Sequence, residues 1–366
     1  MDLLEQYKTL ITEQKNIRNL LNYPDEFIDF SSNDYLGLSK NNTVIDAGCK
    51  AAMWYGAGST GSRLLSGNKQ IFFEFEIIIA KDKKMESALI FNSGFQANSG
   101  ILECLSDKST TIIFDKLNHA SMYQGIFASG ANLLRFNHLD YDHLESLLKK
   151  ENLKNIIIAS ETVFGMDGDI ANISILSDLS NRYGTILYLD EAHATGLYGE
   201  NGYGLSTHHM LNPETTIIMG TLSKAIGSSG AYVACSQLIK DYLVKNCKSF
   251  IYSTALSPFC IGAAMYAWNL LPSLSEVRKK LLNTSQNLRN QLKYFDLEIK
   301  GEGTNIIPII YKNVEEIIKI KEKCIQNGII ISGVTKPTSP TPRIRIAICA
   351  HHSFEDIQKL LQNFTQ

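Results

Sequence analysis

Two short segments of this 366-residue chain put reactive side chains directly after apolar runs. Asp190-Glu191-Ala192-His193-Ala194-Thr195-Gly196 leaves the run TILYLD, and Gly220-Thr221-Leu222-Ser223-Lys224 leaves the run TTIIM. A carboxylate at the end of a buried strand must be paired or neutralised, because an isolated buried charge is very costly. A lysine at a neighbouring strand end has two readings. One is a structural Asp–Lys pair; the other is an amine used as a nucleophile, since lysine forms Schiff bases with carbonyl compounds. Spacing alone leaves both open.

Other polar groups share this placement. Ser93, His119, Glu161, Asp190, His193 and Thr221 to Lys224 each fall where an apolar run stops. Open α/β sheets bind ligands outside the carboxyl ends of their strands, so these residues point to one crevice. Two motif-like segments carry less. Gly56, Gly58, Gly61 and Gly67 suggest a phosphate loop, but Gly61 is followed by Ser62-Arg63 and not Lys-Ser/Thr. Asp167-Gly168-Asp169 lacks the spaced ligands of a calcium loop and reads as a turn. In Arg343-Ile344-Arg345-Ile346, alternation puts both arginines on one face of a strand. Arg345 is the candidate to clamp a carboxylate, while Arg343 reads as a solvent-facing charge. His138, His143, His208, His209 and His351 have no such context and read as surface or structural.

The elements that must carry these groups are legible as alternation. Between residues 85 and 235, seven apolar runs (87–94, 109–119, 131–138, 155–164, 184–193, 215–224 and 230–236) alternate with helical stretches such as FQANSGILECL and LDYDHLESLLKKENL. Continuous Ile/Leu/Val runs separated by helices predict a mainly parallel seven-stranded sheet with helices on both faces, an α/β class. After residue 260 a long helical stretch, kinked at Pro272, leads into shorter strands (IIPIIY, GIIISGV, RIRIAIC) and a last helix. We read residues 1–30 as a helical arm, 31–260 as a large domain that holds the crevice and 261–366 as a smaller α+β domain.

Composition excludes several classes. The net charge of −2 supplies no basic field for nucleic acid. No stretch reaches the ~20 apolar residues of a membrane span. Seven scattered cysteines without C-x-x-C spacing argue against a disulfide framework and a structural zinc site, and fit reduced thiols in the cytoplasm. No metal is expected.

The ordered motifs SSNDYLGLS (31–39), GAGSTGSRLLSGN (56–68), FNSGFQANSG (91–100), DKLNHAS (115–121), ETVFGMDGD (161–169), DEAHATG (190–196), GTLSKAIG (220–227), YSTALSP (252–258) and RIR (343–345) together resemble the α-oxoamine synthases. These are pyridoxal 5′-phosphate enzymes of fold type I. The resemblance implies that Lys224 carries the cofactor as a Schiff base, that Asp190 pairs with its pyridine nitrogen and that His119 stacks on its ring. It also implies that His193 bonds near the phenolic oxygen and that Thr221, with the backbone of Gly94 and Phe95, holds the phosphate. Ser253 and Thr254 resemble a segment that reaches the phosphate from a partner subunit, which implies a homodimer with active sites at its interface. Arg345, Thr338, Asn33, Glu161 and Arg18 match substrate-binding positions. The implied reaction is decarboxylative condensation of a small amino acid with an acyl thioester. SSNDYLGLS and GSRLLSG are most similar to members that join L-alanine to a pimeloyl thioester on the way to biotin; glycine with acetyl-CoA is the alternative pair. The chain also departs from the pattern. Gly165 stands where the family often has serine, Gln124 where it usually has Asp, and Lys336 where an Arg is typical; the 340–343 segment is short. A non-catalytic relative of the fold, or a nucleotide binder using the Gly56–Gly67 loop, would carry no cofactor on Lys224.

Overall fold

The computed structural model describes residues 2–13, 20–150, 153–336 and 338–364. All seven apolar runs form strands of one sheet: β1 (Ser87–Phe91), β2 (Thr111–Asp115), β3 (Asn132–Phe136), β4 (Ile156–Glu161), β5 (Ile186–Asp190), β6 (Thr216–Thr221) and β7 (Ala231–Cys235). Their order is β1-β7-β6-β5-β4-β2-β3. Every pair is parallel except those made by β7, which runs antiparallel to β1 and β6. The expected α/β architecture of fold type I is what the chain adopts.

Side chains alternate across the sheet, as a period of two requires. In β5, Ile186 and Tyr188 face one helical layer, while Leu187 and Leu189 face the other. Both layers are apolar, so the central strands are buried throughout; only β3, at the sheet edge, has exposed residues. Helix starts are fixed by side-chain caps. Ser93 Oγ accepts from Gln96 N before the helix Gly94–Leu105, and the His119 ring accepts from Ser121 N before the helix Ala120–Ser129.

Beyond residue 257 the long helical stretch is broken where Pro272 stands. A helix Pro258–Leu270 passes through a 3₁₀ turn, Leu271–Leu274, into the helix Ser275–Lys293. A four-stranded antiparallel sheet follows, made of β8 (Glu298–Ile299), β9 (Ile306–Ile310), β10 (Ser332–Val334) and β11 (Arg343–Ala347) in the order β10-β11-β9-β8. The segment Ile28–Asp29 pairs in parallel with Ile329–Ile330, which ties the residues just before SSNDYLGLS to this sheet. That pairing and β8 carry no periodic signal in the sequence. β11 is buried along its whole length, which corrects the expectation of a half-exposed strand: Arg343 is 2% exposed and donates to Asp167 Oδ1 at 2.7 Å.

Candidate active site

Strand register brings the candidate residues together. Glu161 and Asp190 are paired neighbours at the ends of β4 and β5, and Asp190 pairs with Met219 of β6, two residues before Thr221. Asp190 is 3% exposed. One carboxylate oxygen accepts from Ala192 N (2.8 Å) and the other from Asn98 Nδ2 (2.7 Å). Asn98 is fully satisfied: its Oδ1 accepts from the Tyr188 hydroxyl (2.7 Å), and its second N–H reaches Ser121 Oγ (3.0 Å). Ser121 Oγ in turn lies 2.7 Å from His119 Nδ1. One buried amide therefore ties Asp190 to His119, whose ring lies edge-on to Phe95 in the crevice. Burial lowers the pKa of His119.

Lys224 leaves β6 with its Nζ 2.6 Å from His193 Nε2. Burial pushes the lysine down to about 8, against the pull of Asp190 and Glu161. Burial also holds His193 well below its ordinary range, reinforced by the charge of Lys224. Glu161 is pushed up to about 8, by burial first and then by Asp190; its Oε2 accepts from Gly165 N at 3.2 Å. Thr221 Oγ1 accepts from Ser223 N (3.0 Å), lies 2.9 Å from the Ser223 hydroxyl and sits beside Gly94 at the start of its helix. Free amides at a helix start suit an anion.

Arg345 is 4% exposed and extends from β11 into the same cluster. Its Nε donates to Gly165 O (2.6 Å), and its Nη2 donates to Asn33 Oδ1 (3.0 Å) and Tyr35 Oη (3.2 Å). Tyr35, on no list of candidates from sequence, also lies 2.7 Å from His193 Nδ1. Asn98 was missed likewise; both sit inside quoted motifs, but their partners lie far along the chain. Ser253 Oγ accepts from Gln96 Nε2 (2.7 Å) and Thr254 O from Asn92 Nδ2 (2.6 Å), which places both beside the Gly94 helix of their own chain. Thr338 lies on an exposed turn, its amide bonded to Thr335 O. Arg18 falls outside the described residues. Cys349, His351 and His352 approach one another, but both His352 ring nitrogens are engaged by backbone, at Cys349 N and Asp29 O, so they make no metal-ligand set.

Charge pairing separates this cluster from three other buried ion pairs, while Arg289, also without a carboxylate, is met by four backbone carbonyls. Arg63–Glu76, Lys83–Glu191 and Arg343–Asp167 are closed pairs. Among the described residues, Asp190 has no cation and Arg345 no carboxylate at ion-pair distance. Two buried, opposite, unpaired charges flank a lysine amine. This donor set fits pyridoxal 5′-phosphate: an aldehyde for Lys224, a ring nitrogen for Asp190, a ring face for His119, and a phosphate for Thr221, Ser223 and the Gly94–Phe95 amides.

A family model described as aminotransferase class I and II matches residues 25–364. A relative from Thermodesulfovibrio yellowstonii, provisionally named 8-amino-7-oxononanoate synthase, is 40% identical over 337 residues, covering 92% of this chain and 87% of its own. A serine palmitoyltransferase from S. paucimobilis, a lysine-to-alanine variant with bound PLP–myriocin, has a TM-score of 0.92 at 25% identity, over 100% of this chain and 98% of that one. The 8-amino-7-oxononanoate synthase of Francisella tularensis has a TM-score of 0.80 at 30% identity, over 93% and 97%. The chain belongs to the aminotransferase class I and II family and, within it, to the α-oxoamine synthases, acyltransferases that work with pyridoxal 5′-phosphate.

Proposed function

We propose that this enzyme joins L-alanine to a pimeloyl thioester, releasing carbon dioxide and the free thiol, as its relatives named 8-amino-7-oxononanoate synthase are named for doing. The observation that carries the reading is the unpaired Arg345, a buried guanidinium whose planar fork matches an amino-acid carboxylate. Bound pyridoxal 5′-phosphate supplies an electron sink for negative charge at the amino acid's Cα.

The chain's own residues do the rest. Lys224 would hold the cofactor, and its amine is placed to move the Cα proton; an amine lowered to about 8 by burial is suited to both. Asp190, kept in place by Asn98 and Ala192 N, presents its negative charge to the ring nitrogen. Arg345 fixes the carboxylate, so that the Cα–H bond is oriented by binding energy spent away from the reacting atom. Glu161, raised to about 8, can hold a proton near neutral pH beside Gly165.

We also assign a homodimer and a cytoplasmic location. The large exposed apolar residues Met53, Trp54, Leu65 and Ile77 are 69–87% exposed on the Asn42–Tyr55 and Gln70–Asp82 helices and the loop between them, a surface that suits a second copy. All seven cysteines are free thiols, and no described helix is long and apolar enough to cross a membrane. Light scattering should give a dimer; a fully active monomer would contradict it.

The test of the reaction is thiol release with L-alanine plus pimeloyl-CoA, or its carrier-protein thioester, set against glycine plus acetyl-CoA and L-serine plus palmitoyl-CoA. Turnover of the first pair is expected to dominate. Rapid turnover of another pair alone would overturn the assignment.

A further inference from the structure

Gly165 stands at a crossing of hydrogen bonds, its N–H on Glu161 and its carbonyl on Arg345. Its φ is not positive, so the backbone would accept any L residue there. What forbids a side chain is His193. A Cβ built at position 165 collides with imidazole Nε2 and falls 2.8 Å from Cδ2 and 2.9 Å from Cε1. His193 therefore occupies the volume that a side chain at 165 would fill.

In that position the ring links Lys224 to Tyr35, and the hydrogens can be assigned. A lysine ammonium only donates, so Nε2 of His193 accepts at 2.6 Å. The ring is neutral, so its one hydrogen lies on Nδ1 and is donated to Tyr35 Oη at 2.7 Å. Tyr35 then donates its own hydrogen to Asn33 Oδ1 at 3.0 Å. All four groups are satisfied in one direction. The far end of the chain is the carboxylate clamp, because Arg345 Nη2 donates to both Tyr35 and Asn33.

We propose that Tyr35 is a positioning residue for Lys224, acting through His193. It selects the Nδ1–H tautomer and fixes the ring with Nε2 toward the amine, in the space that Gly165 leaves open. Tyr35 is fully buried, so neither water nor a second rotamer competes for its hydroxyl. The amine is thereby aimed before the cofactor arrives. A carboxylate arriving at Arg345 competes for the guanidinium that steadies the other end. Only this last link rests on the proposed function.

The experiment uses the cofactor-free protein with ¹⁵N-labelled histidine, the His193 signals being identified by their loss in His193→Gln. Two-bond nitrogen–proton correlations distinguish the tautomers. The wild-type protein at neutral pH is expected to show His193 as a single Nδ1–H form. Tyr35→Phe removes the acceptor, and Gly165→Ala pushes the ring aside; each should give mixed tautomers. Each should also slow capture of pyridoxal 5′-phosphate, followed by its visible band, by about tenfold or more, the order expected for misplacing a reacting group. An Nε2–H ring in the wild-type protein overturns the proposal without any variant having to fold. So does a Tyr35→Phe protein with unchanged tautomer and capture rate. Failure of the substrate assay would leave the tautomer result standing, so the two readings fail separately.

Discussion

His138 provides the most quantitative test of how the site's loops are held. Its Nδ1 lies 3.0 Å from both oxygens of Asp115, and its Nε2 lies 3.0 Å from Asp169 Oδ2. Burial alone would lower its pKa; the bonds to the two carboxylates overcome burial and push it up to about 9. Asp115 ends β2, His138 lies two residues past β3 and Asp169 closes the turn that carries Gly165, so the imidazolium clamps the segment leading to His119 and the turn that follows Glu161. Going from an ordinary 6.5 to about 9 corresponds to about 3 kcal/mol, at about 1.4 kcal/mol per tenfold change in proton affinity. Asp169 is 26% exposed, and solvent screening reduces what we expect to measure to about 2 kcal/mol.

The sign follows from linkage. A raised pKa favours the folded state fully below about pH 6.5, and the contribution is lost as pH rises through about 9. Urea unfolding of wild type and His138→Gln between pH 6 and 10 is the assay. The variant is less stable at pH 6, and the gap between the two proteins narrows by about 2 kcal/mol by pH 10. Parallel stability curves across that range would show that His138 is not charged in the folded protein and would refute the clamp.

Lys224→Ala should fold yet show no visible band that persists with pyridoxal 5′-phosphate through gel filtration. Arg345→Ala should raise KM for L-alanine roughly 10- to 150-fold, the range given by about 1.5–3 kcal/mol for a charged hydrogen bond, and Arg345→Lys should recover only part of it. Steady-state kinetics decides, and an unchanged KM would remove Arg345 from the carboxylate site. Asn98→Ala should weaken cofactor binding by a similar factor in equilibrium dialysis, because Asp190 loses a buried donor. Asn98→Asp should do worse, by setting a second carboxylate against the first.

Much of this was legible in the sequence because it is periodic or local. Seven Ile/Leu/Val runs became the seven strands, and Glu161, Asp190 and Thr221, which close β4, β5 and β6, landed at the crevice, since a strand end fixes where its last side chain points. What escaped was pairing at a distance. Asn98 reaches Asp190 across 92 positions, Tyr35 reaches His193 across 158, and Arg343 reaches Asp167 across 176. Periodicity reports the face a residue occupies and says nothing about who waits there. Arg343 and Arg345 show the consequence. They share a strand, a face and a residue type, and both are buried, so alternation could not tell them apart.

What separates those two arginines is the partner. Arg343 meets Asp167 and is spent on holding β11 against the turn after β4; Arg345 meets only neutral oxygens. The same rule sorts the acids, for Glu191 is closed by Lys83 while its neighbour Asp190 faces an amide and a backbone N–H. A buried charge left without a counter-ion weakens the fold unless dipoles satisfy it, as four carbonyls do for Arg289, or a ligand at a crevice completes it. Asp190 lacks a cation and Arg345 an anion, and Lys224 belongs to the same cluster. In the reading proposed above, a protonated ring nitrogen, a carbonyl for the amine and a carboxylate would complete the three. The family's cofactor and an amino acid would supply these groups together, and the arrangement of the three side chains fits such a two-component ligand.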